Sequence, residues 1–290
     1  MDLIGDALLD GLSTESTEIN DYIGNEGLLY CGKCNTPRET ALSADKSDIL
    51  ARSFKVKSGK LHLPIMCRCK TAEFEKEKSE QDLKDFNRRV GRLREYGLTD
   101  KEYENWTFDK DDRKNPSISN SCRNYVDNWE GMISDNVGLL FYGSVGTGKT
   151  FYACCIANSL IDKGVTALVT NFPHLLKIIQ SSAFNENVNV ISRLQKYDLV
   201  VIDDLGVERN TDYAIEQVYS LIDTRYRSGK PLIITTNLAP HDIAKPANIA
   251  YERIYDRIKQ NSIPVKMVGE SRRKEIGRTK QAKYKDLLGF

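Results

Sequence analysis

A glycine-rich stretch in the middle of the chain carries residue types that bind phosphate. It reads GSVGTGKT and matches the pattern G-x-x-x-x-G-K-[ST]. In this pattern glycines let backbone N–H groups turn toward phosphate oxygens, Lys149 reaches the β- and γ-phosphates, and the Thr150 hydroxyl ligates Mg²⁺. The predicted nucleotide-binding residues are Gly143, Ser144, Val145, Gly146, Thr147, Gly148, Lys149 and Thr150. An apolar run precedes the stretch and a helix-like segment follows it, as this chemistry requires.

Two acidic residues follow a later apolar run, YDLVVIDDLG. We expect Asp203 to hold the metal ion and Asp204 to polarise the attacking water. The pair could instead be the polar end of a buried strand, but burying two carboxylates is costly unless they are paired or metal-bound. A further run, PLIITTN, ends at Asn237, whose amide can orient the water or contact the γ-phosphate.

Four cysteines have the spacing of a metal site. Cys31-x-x-Cys34 and Cys67-x-Cys69 flank a stretch in which apolar residues, from Phe54 to Ile65, alternate on either side of a turn at Ser58–Gly59; this pattern predicts a β-hairpin. The hairpin can bring four thiolates together around one Zn²⁺ ion. Unliganded cysteines are the alternative interpretation. His62 is either a substitute ligand or, as its place in an alternating strand favours, a structural residue.

Composition excludes several broad classes of protein. The 290 residues include 42 basic and 41 acidic residues, so the net charge of +1 gives no global attraction to nucleic acid or membranes. The chain has no secretory leader pattern and no run of apolar residues long enough to span a membrane. We therefore expect a cytoplasmic protein with reduced cysteines.

The apolar runs of the second half alternate with amphipathic segments. This order is typical of an α/β fold with a parallel sheet flanked by helices. The runs expected to form buried strands are GLLFYG, TALVTN, DLVVIDD, PLIITTN and IPVKMVG.

The chain is predicted to contain four regions. Residues 1–29 form a flexible leader, 30–70 a small Cys-rich zinc-binding module, 71–115 a charged helical linker, and 116–290 the nucleotide-binding domain. The helical pattern in the linker is interpreted as a solvated helix, with a dedicated binding helix as the alternative.

Five motifs together resemble a known family. The motifs are GSVGTGKT, LVVIDDLG, IITTN, YERIYDRI and GESRR. Together they look like the AAA+ ATPase core of bacterial and phage helicase loaders of the DnaC/DnaI type. This core is also similar to the IstB transposition helpers. The resemblance extends over about residues 100–275. It implies a P-loop AAA+ fold in which the residues above form the Walker A motif, the Walker B pair and sensor 1.

The resemblance also assigns roles to arginines. Arg257 corresponds to the arginine finger that completes the site of a neighbouring subunit, and Arg273 to the sensor 2 arginine. Arg253 and Arg257 are four residues apart and share one helix face, although they could equally be solvated arginines. Arg272 stands where the family has an aromatic residue.

A helicase loader is the function that this resemblance implies. Such a protein uses ATP, Mg²⁺ and Zn²⁺, forms an ATP-dependent ring or spiral, and loads a hexameric DnaB-type helicase onto single-stranded DNA during replication. Hydrolysis should be slow, because Asp204 is shorter than the usual Glu, and stimulated by DNA or the partner. The basic cluster SRRKEIGRTKQAKYK offers a local patch for DNA.

Two alternatives stay open. An IstB-like ATPase assisting a transposase would share every ATPase motif, although the Cys-rich module argues against it. A nucleotide-binding adaptor with negligible hydrolysis would also fit the short Asp204.

Overall fold

The computed structural model describes residues 20–24, 27–43, 56–57, 60–182, 194–206, 211–244 and 249–289. The chain divides into two compact units, residues 1–85 and residues 86–290. Among the described helices, none combines the length and the apolar character that crossing a membrane requires.

The first unit contains short antiparallel strands. Its strands are β1 (Tyr22–Ile23), β2 (Leu29–Tyr30), β3 (Glu39–Ser43), β4 (Val56–Lys57) and β5 (Lys60–Pro64). Strand β1 pairs with β2, and β5 lies between β3 and β4. The predicted hairpin is confirmed in its two strands, β4 and β5, whereas Phe54 and the predicted turn at Ser58–Gly59 lie outside the described residues.

The second unit is built on a parallel sheet. Within its described residues the strands are β6 (Gly138–Gly143), β7 (Ala167–Asn171), β8 (Leu199–Leu205), β9 (Leu232–Thr236) and β10 (Ser262–Met267). Their order across the sheet is β10-β6-β9-β8-β7. Each predicted apolar run forms one of these strands, so the predicted α/β fold with a parallel sheet is confirmed.

Helices cover both faces of this sheet. The described helices are α1 (Arg68–Gly97), α2 (Lys101–Glu104), α3 (Pro116–Asp127), α4 (Trp129–Ser134), α5 (Lys149–Asp162), α6 (Phe172–Ser182), α7 (Asp212–Arg227), α8 (Pro240–Ala244), α9 (Ile249–Asn261) and α10 (Arg272–Leu288). Successive strand residues point to opposite faces, so Phe141 packs with α5 in one core and Leu140 with α7 and α9 in the other. This double burial explains why the strands are apolar throughout.

The predicted linker contributes to the core of the second unit. Helix α1 ends at Gly97, and beyond it Leu98, Tyr103 and Phe108 are buried in the same cluster as α5. A 3₁₀ turn at Phe108–Lys110 follows. The segment that precedes the sheet therefore helps to form the core on one face of the sheet.

Both edges of the parallel sheet carry residues that discourage pairing with a further strand. At the β7 edge, the backbone N–H and the hydroxyl of Thr99 both donate to the carbonyl of Val169, at 3.2 and 2.9 Å. At the other edge, β10 contains Pro264, which has no N–H group, and Lys266. Proline and lysine are typical of edge strands because they discourage pairing with another strand.

Candidate nucleotide and metal sites

The phosphate loop connects β6 to α5 through glycines whose backbone conformation other residues rarely adopt. Gly143, Gly146 and Gly148 have φ angles of +140°, +82° and +99°. A Cβ atom at Gly143 would lie 2.2 Å from the carbonyl oxygen of Met267, and one at Gly146 would lie 2.1 Å from the hydroxyl of Ser271. The loop leads directly into the N-terminus of α5, where free N–H groups and the helix dipole favour a bound anion.

Lys149 is the first residue of α5, and its ammonium group is held inside the loop. Only 5% of the residue is exposed. Its Nζ donates to the carbonyls of Gly143 and Ser144 at 2.9 and 2.8 Å and to the Asn237 Oδ1 at 2.7 Å. Burial lowers the pKa of Lys149, and the carboxylates of Asp204 and Asp203 partly oppose this effect. The structure thus brings together the predicted lysine, acids and sensor amide.

The two predicted acids lie at the carboxyl end of β8. Asp203 is 7% exposed and accepts hydrogen bonds from the hydroxyls of Thr235, at 2.5 Å, and Thr150. Burial raises the pKa of Asp203, while these two hydrogen bonds lower it. Asp204 has a left-handed φ of +56° and accepts a 3.4 Å hydrogen bond from the Asn237 amide. A buried carboxylate bonded to a hydroxyl at the end of a phosphate loop suits Mg²⁺, which prefers oxygen ligands.

A cavity of about 390 Å³ opens beside these groups. The phosphate loop, Asp204 and Asn237 line it together with the apolar side chains of Trp106, Phe151 and Ile276. Its volume lies within the range of small-molecule sites, which combine apolar walls with a few placed polar groups. The residues present therefore fit a nucleotide with its magnesium ion.

Arg273 also lines the cavity, next to a second arginine that sequence reasoning did not assign to the site. The Arg272 guanidinium donates to both carboxylate oxygens of Asp112, at 2.8 and 2.9 Å, and to the carbonyl of Thr147 at 2.5 Å. Arg272 lowers the pKa of Asp112 to about 2. Asp112 lies 160 residues earlier, and no motif in the sequence connects it to Arg272.

Arg257 lies outside the residues that line this cavity. Its Nε donates to Asp223 at 2.7 Å, and a terminal nitrogen donates to the Tyr219 hydroxyl at 2.8 Å. The guanidinium also lies over the Tyr219 ring, 4.8 Å from its centre. Arg253, one turn earlier, is exposed. The assignment of Arg257 as an arginine finger involves a second chain and stays a prediction.

The four predicted cysteines meet in the first unit. The sulfur atoms of Cys31, Cys34, Cys67 and Cys69 all lie within 4.8 Å of one another, and Cys31 and Cys67 are buried. Zn–S bonds of about 2.3 Å in a tetrahedron place sulfur atoms about 3.8 Å apart, so the cluster fits a zinc ion. Hydrogen bonding to Thr36 lowers the pKa of Cys34 to about 6, whereas hydrogen bonding to Cys67 raises the pKa of Cys69 to about 12. A thiolate at Cys34 is the form that binds metal.

His62 is not part of the cysteine cluster. It is buried, and its Nδ1 lies 3.1 Å from a carboxylate oxygen of Glu39 on the neighbouring strand β3. The structural interpretation of His62 is therefore supported. The sequence contains seven cysteines, and all of them are free of disulfide bonds.

The basic cluster near the C-terminus forms the exposed helix α10. None of its described residues is buried. Apart from Arg272 and Arg273 at its start, its exposed basic residues are Lys274, Arg278, Lys280, Lys283 and Lys285.

Comparison with known proteins gives a family match and several relatives. Residues 74–281 match the family described as IstB-like ATP binding protein. The replicative helicase loader DnaC of Escherichia coli K12 is 27% identical over 141 residues, which cover 48% of this chain and 55% of DnaC. The replicative helicase loader DnaI of Bacillus subtilis is 22% identical over 185 residues, 58% of each chain. A putative ATP-binding protein in an insertion sequence of Mycobacterium tuberculosis is 27% identical over 148 residues, 49% of this chain and 58% of the relative.

The chain thus spans just over half the length of these curated relatives. Among solved structures, a crystal structure of the DnaC helicase loader matches with a TM-score of 0.51 and 24% identity, covering 58% of this chain and all of that one. A crystal structure of DnaI matches with a TM-score of 0.50 and 20% identity, covering 61% and 96%. The structural matches show a shared fold. The predicted resemblance and the P-loop AAA+ architecture are confirmed.

Proposed function

Because the chain belongs to the family of IstB-like ATP-binding proteins, we propose that it is an ATPase that loads a hexameric, DnaB-type replicative helicase onto single-stranded DNA during replication. The similarity to the replicative helicase loaders DnaC and DnaI carries this proposal. The proposed setting is the cytoplasm of a bacterial host cell.

In the proposed nucleotide site each residue has a distinct task. Lys149 supplies positive charge to the β- and γ-phosphates, and Thr150 and Asp203 hold the magnesium ion. When bound, Mg²⁺ neutralises charge on the phosphate oxygens. Asp204 polarises the attacking water and Asn237 orients it; the hydrogen bond between these two side chains supports a shared task.

Self-association into an ATP-dependent ring or spiral is the proposed route to full activity. Arg257 would then act on the γ-phosphate of a neighbouring chain, and Arg273 on the nucleotide of its own chain, whose cavity it lines. An arginine supplied by another subunit stabilises charge that develops in the transition state, so it affects hydrolysis more than binding.

The Cys-rich module and the charged helix α1 are the proposed contacts to the helicase. Zn²⁺ held by the four cysteines would fix the fold of this module, because units of this size have little core of their own. The basic helix α10 is the proposed contact to single-stranded DNA. Its exposed lysines and arginines can neutralise backbone phosphates although the whole chain is nearly neutral.

The direct test combines the purified chain with the host replicative helicase and ATP. Native mass spectrometry should detect a complex, and unwinding of duplex DNA that adjoins protein-coated single-stranded DNA should depend on the chain. The Lys149→Ala variant should fail to stimulate unwinding. Absence of both the complex and the stimulation would reject the proposed function.

The insertion-sequence relative and the family match favour one alternative, an ATPase that assists a transposase. Binding to a transposase instead of the helicase in the same experiment would support it. A second alternative is a nucleotide-binding adaptor. It would be supported if phosphate release, with helicase and DNA present, stayed at the level of Lys149→Ala.

A further inference from the structure

The pairing of β8 with β9 is irregular where the two acids lie. It is regular up to Ile202 and resumes at Leu205. Between these points Asp203 and Asp204 lie opposite the single residue Thr235, so β8 carries a β-bulge. A bulge interrupts the hydrogen-bond ladder and turns side chains to new directions, and such bulges are frequent beside active sites.

The Thr235 hydroxyl bonds to both bulged residues. It donates to the Asp203 carboxylate at 2.5 Å and accepts from the backbone N–H of Asp204 at 3.0 Å. A hydroxyl has one proton to donate, and here that proton goes to Asp203. One atom of β9 therefore sets the orientation of the first acid and the backbone of the second.

Thr235 is itself held firmly. It is fully buried in the central strand β9, and on its other side it pairs with Phe141 in the neighbouring strand β6. The next residue, Thr236, makes a similar pair of bonds: it donates to the carbonyl of Leu205 at 2.7 Å and accepts from the N–H of Leu238 at 3.1 Å. Thr236 is equally buried, but these bonds involve neither acid.

We propose that Thr235 is a positioning residue for the metal site, acting through its hydroxyl on Asp203 and on the Asp204 backbone. The inference rests on the proposed nucleotide-binding function. Thr150 and Asp203 would hold Mg²⁺, and the hydrogen bond from Thr235 to Asp203 Oδ1 fixes the orientation of that carboxylate beside Thr150. The expected consequence is a specific loss of magnesium affinity, with binding of the nucleotide itself preserved.

The test measures binding of a fluorescent ATP analogue as a function of Mg²⁺ concentration, with a parallel titration in EDTA. Four variants are compared with the wild type: Thr235→Val and Thr235→Ala remove the hydroxyl, Thr235→Ser retains it, and Thr236→Val is the matched control. Circular dichroism melting shows which variants are folded.

For Thr235→Val, the Mg²⁺ concentration that gives half of the magnesium-dependent increase in ATP-analogue binding should rise by about 10-fold. This factor is the lower end of the loss in metal affinity that follows removal of a group that orients a metal ligand. Affinity in EDTA should be unchanged, and Thr235→Ser and Thr236→Val should resemble the wild type. If Thr235→Val does not fold, Thr235→Ala carries the same expectation.

Three results would overturn the inference. Thr235→Val and Thr236→Val could show the same magnesium dependence, or Thr235→Ser could fail to show the wild-type magnesium dependence. The third result is that both hydroxyl-free variants, Thr235→Val and Thr235→Ala, do not fold. If the wild type itself binds no nucleotide, the proposed function fails rather than the role of Thr235.

Discussion

Replacement of Arg225 by methionine should destabilise the second unit strongly. Arg225 lies in α7, is 1% exposed, and makes five hydrogen bonds of 2.6 to 3.2 Å to main-chain carbonyls. The acceptors are Leu194, Tyr197, Asp198 and Pro231. These bonds fix the segments that enter β8 and β9, the strands that carry the acids and Asn237 at their other ends.

The magnitude follows from two opposing effects. Hydrogen bonds from a charged donor contribute about 1.5 kcal/mol each at the lower end of their range, or about 7 kcal/mol for this set. Burial lowers the pKa of Arg225 to about 10. Relative to an ordinary arginine, this shift corresponds to a cost of about 3 kcal/mol for burying the charge. The free energy of unfolding should therefore fall by about 4 kcal/mol in Arg225→Met, which is the hydrogen-bond contribution minus the cost of burying the charge.

Thermal unfolding followed by calorimetry provides the measurement. For a unit of this size, a loss of about 4 kcal/mol lowers Tm by about 8 to 16 °C. Arg227→Met, two residues further along α7 with a side chain 74% exposed, is the matched control and should cost less than about 0.5 kcal/mol. A Tm for Arg225→Met within about 3 °C of that control would refute the reasoning.

Three further predictions concern the proposed sites. Lys149→Ala should abolish nucleotide binding in a filter or fluorescence assay, while Asp204→Asn should bind ATP and release no phosphate; wild-type affinity in Lys149→Ala would contradict the phosphate-loop assignment. Native mass spectrometry should find one zinc ion per chain, and full occupancy after joint replacement of Cys67 and Cys69 by serine would disprove the ligand set. Arg257→Ala should keep nucleotide affinity but lose DNA-stimulated hydrolysis, which mixing with Lys149→Ala should partly restore; an inactive mixture, with weaker ATP binding by Arg257→Ala alone, would place this arginine in its own subunit.

Features determined by neighbouring residues were predictable from the sequence. The phosphate loop is contiguous, so its glycines and Lys149 identify it directly. The strands of the parallel sheet are apolar on both faces, and the turns between them are clear. The four cysteines were predicted because only a few residues separate the members of each pair.

Features that depend on the folded backbone were not predictable in the same way. Arg272 and Asp112 become partners only when the start of α10 meets the segment before α3. The bulge at Asp204 leaves no mark in the sequence, because Asp is also common in ordinary strand exits. Arg225 resembles any helix arginine until the carbonyls around it are seen.

The protected edges of the parallel sheet have a consequence for how this protein can polymerise. With Thr99 bonded to Val169 at one edge and Pro264 within the strand at the other, continuous sheets running from chain to chain are disfavoured. Fibrous or amyloid-like growth through this sheet should therefore be rare even in concentrated preparations. Contacts between the second units of two chains would then use side chains on helices and loops rather than strand pairing at this sheet.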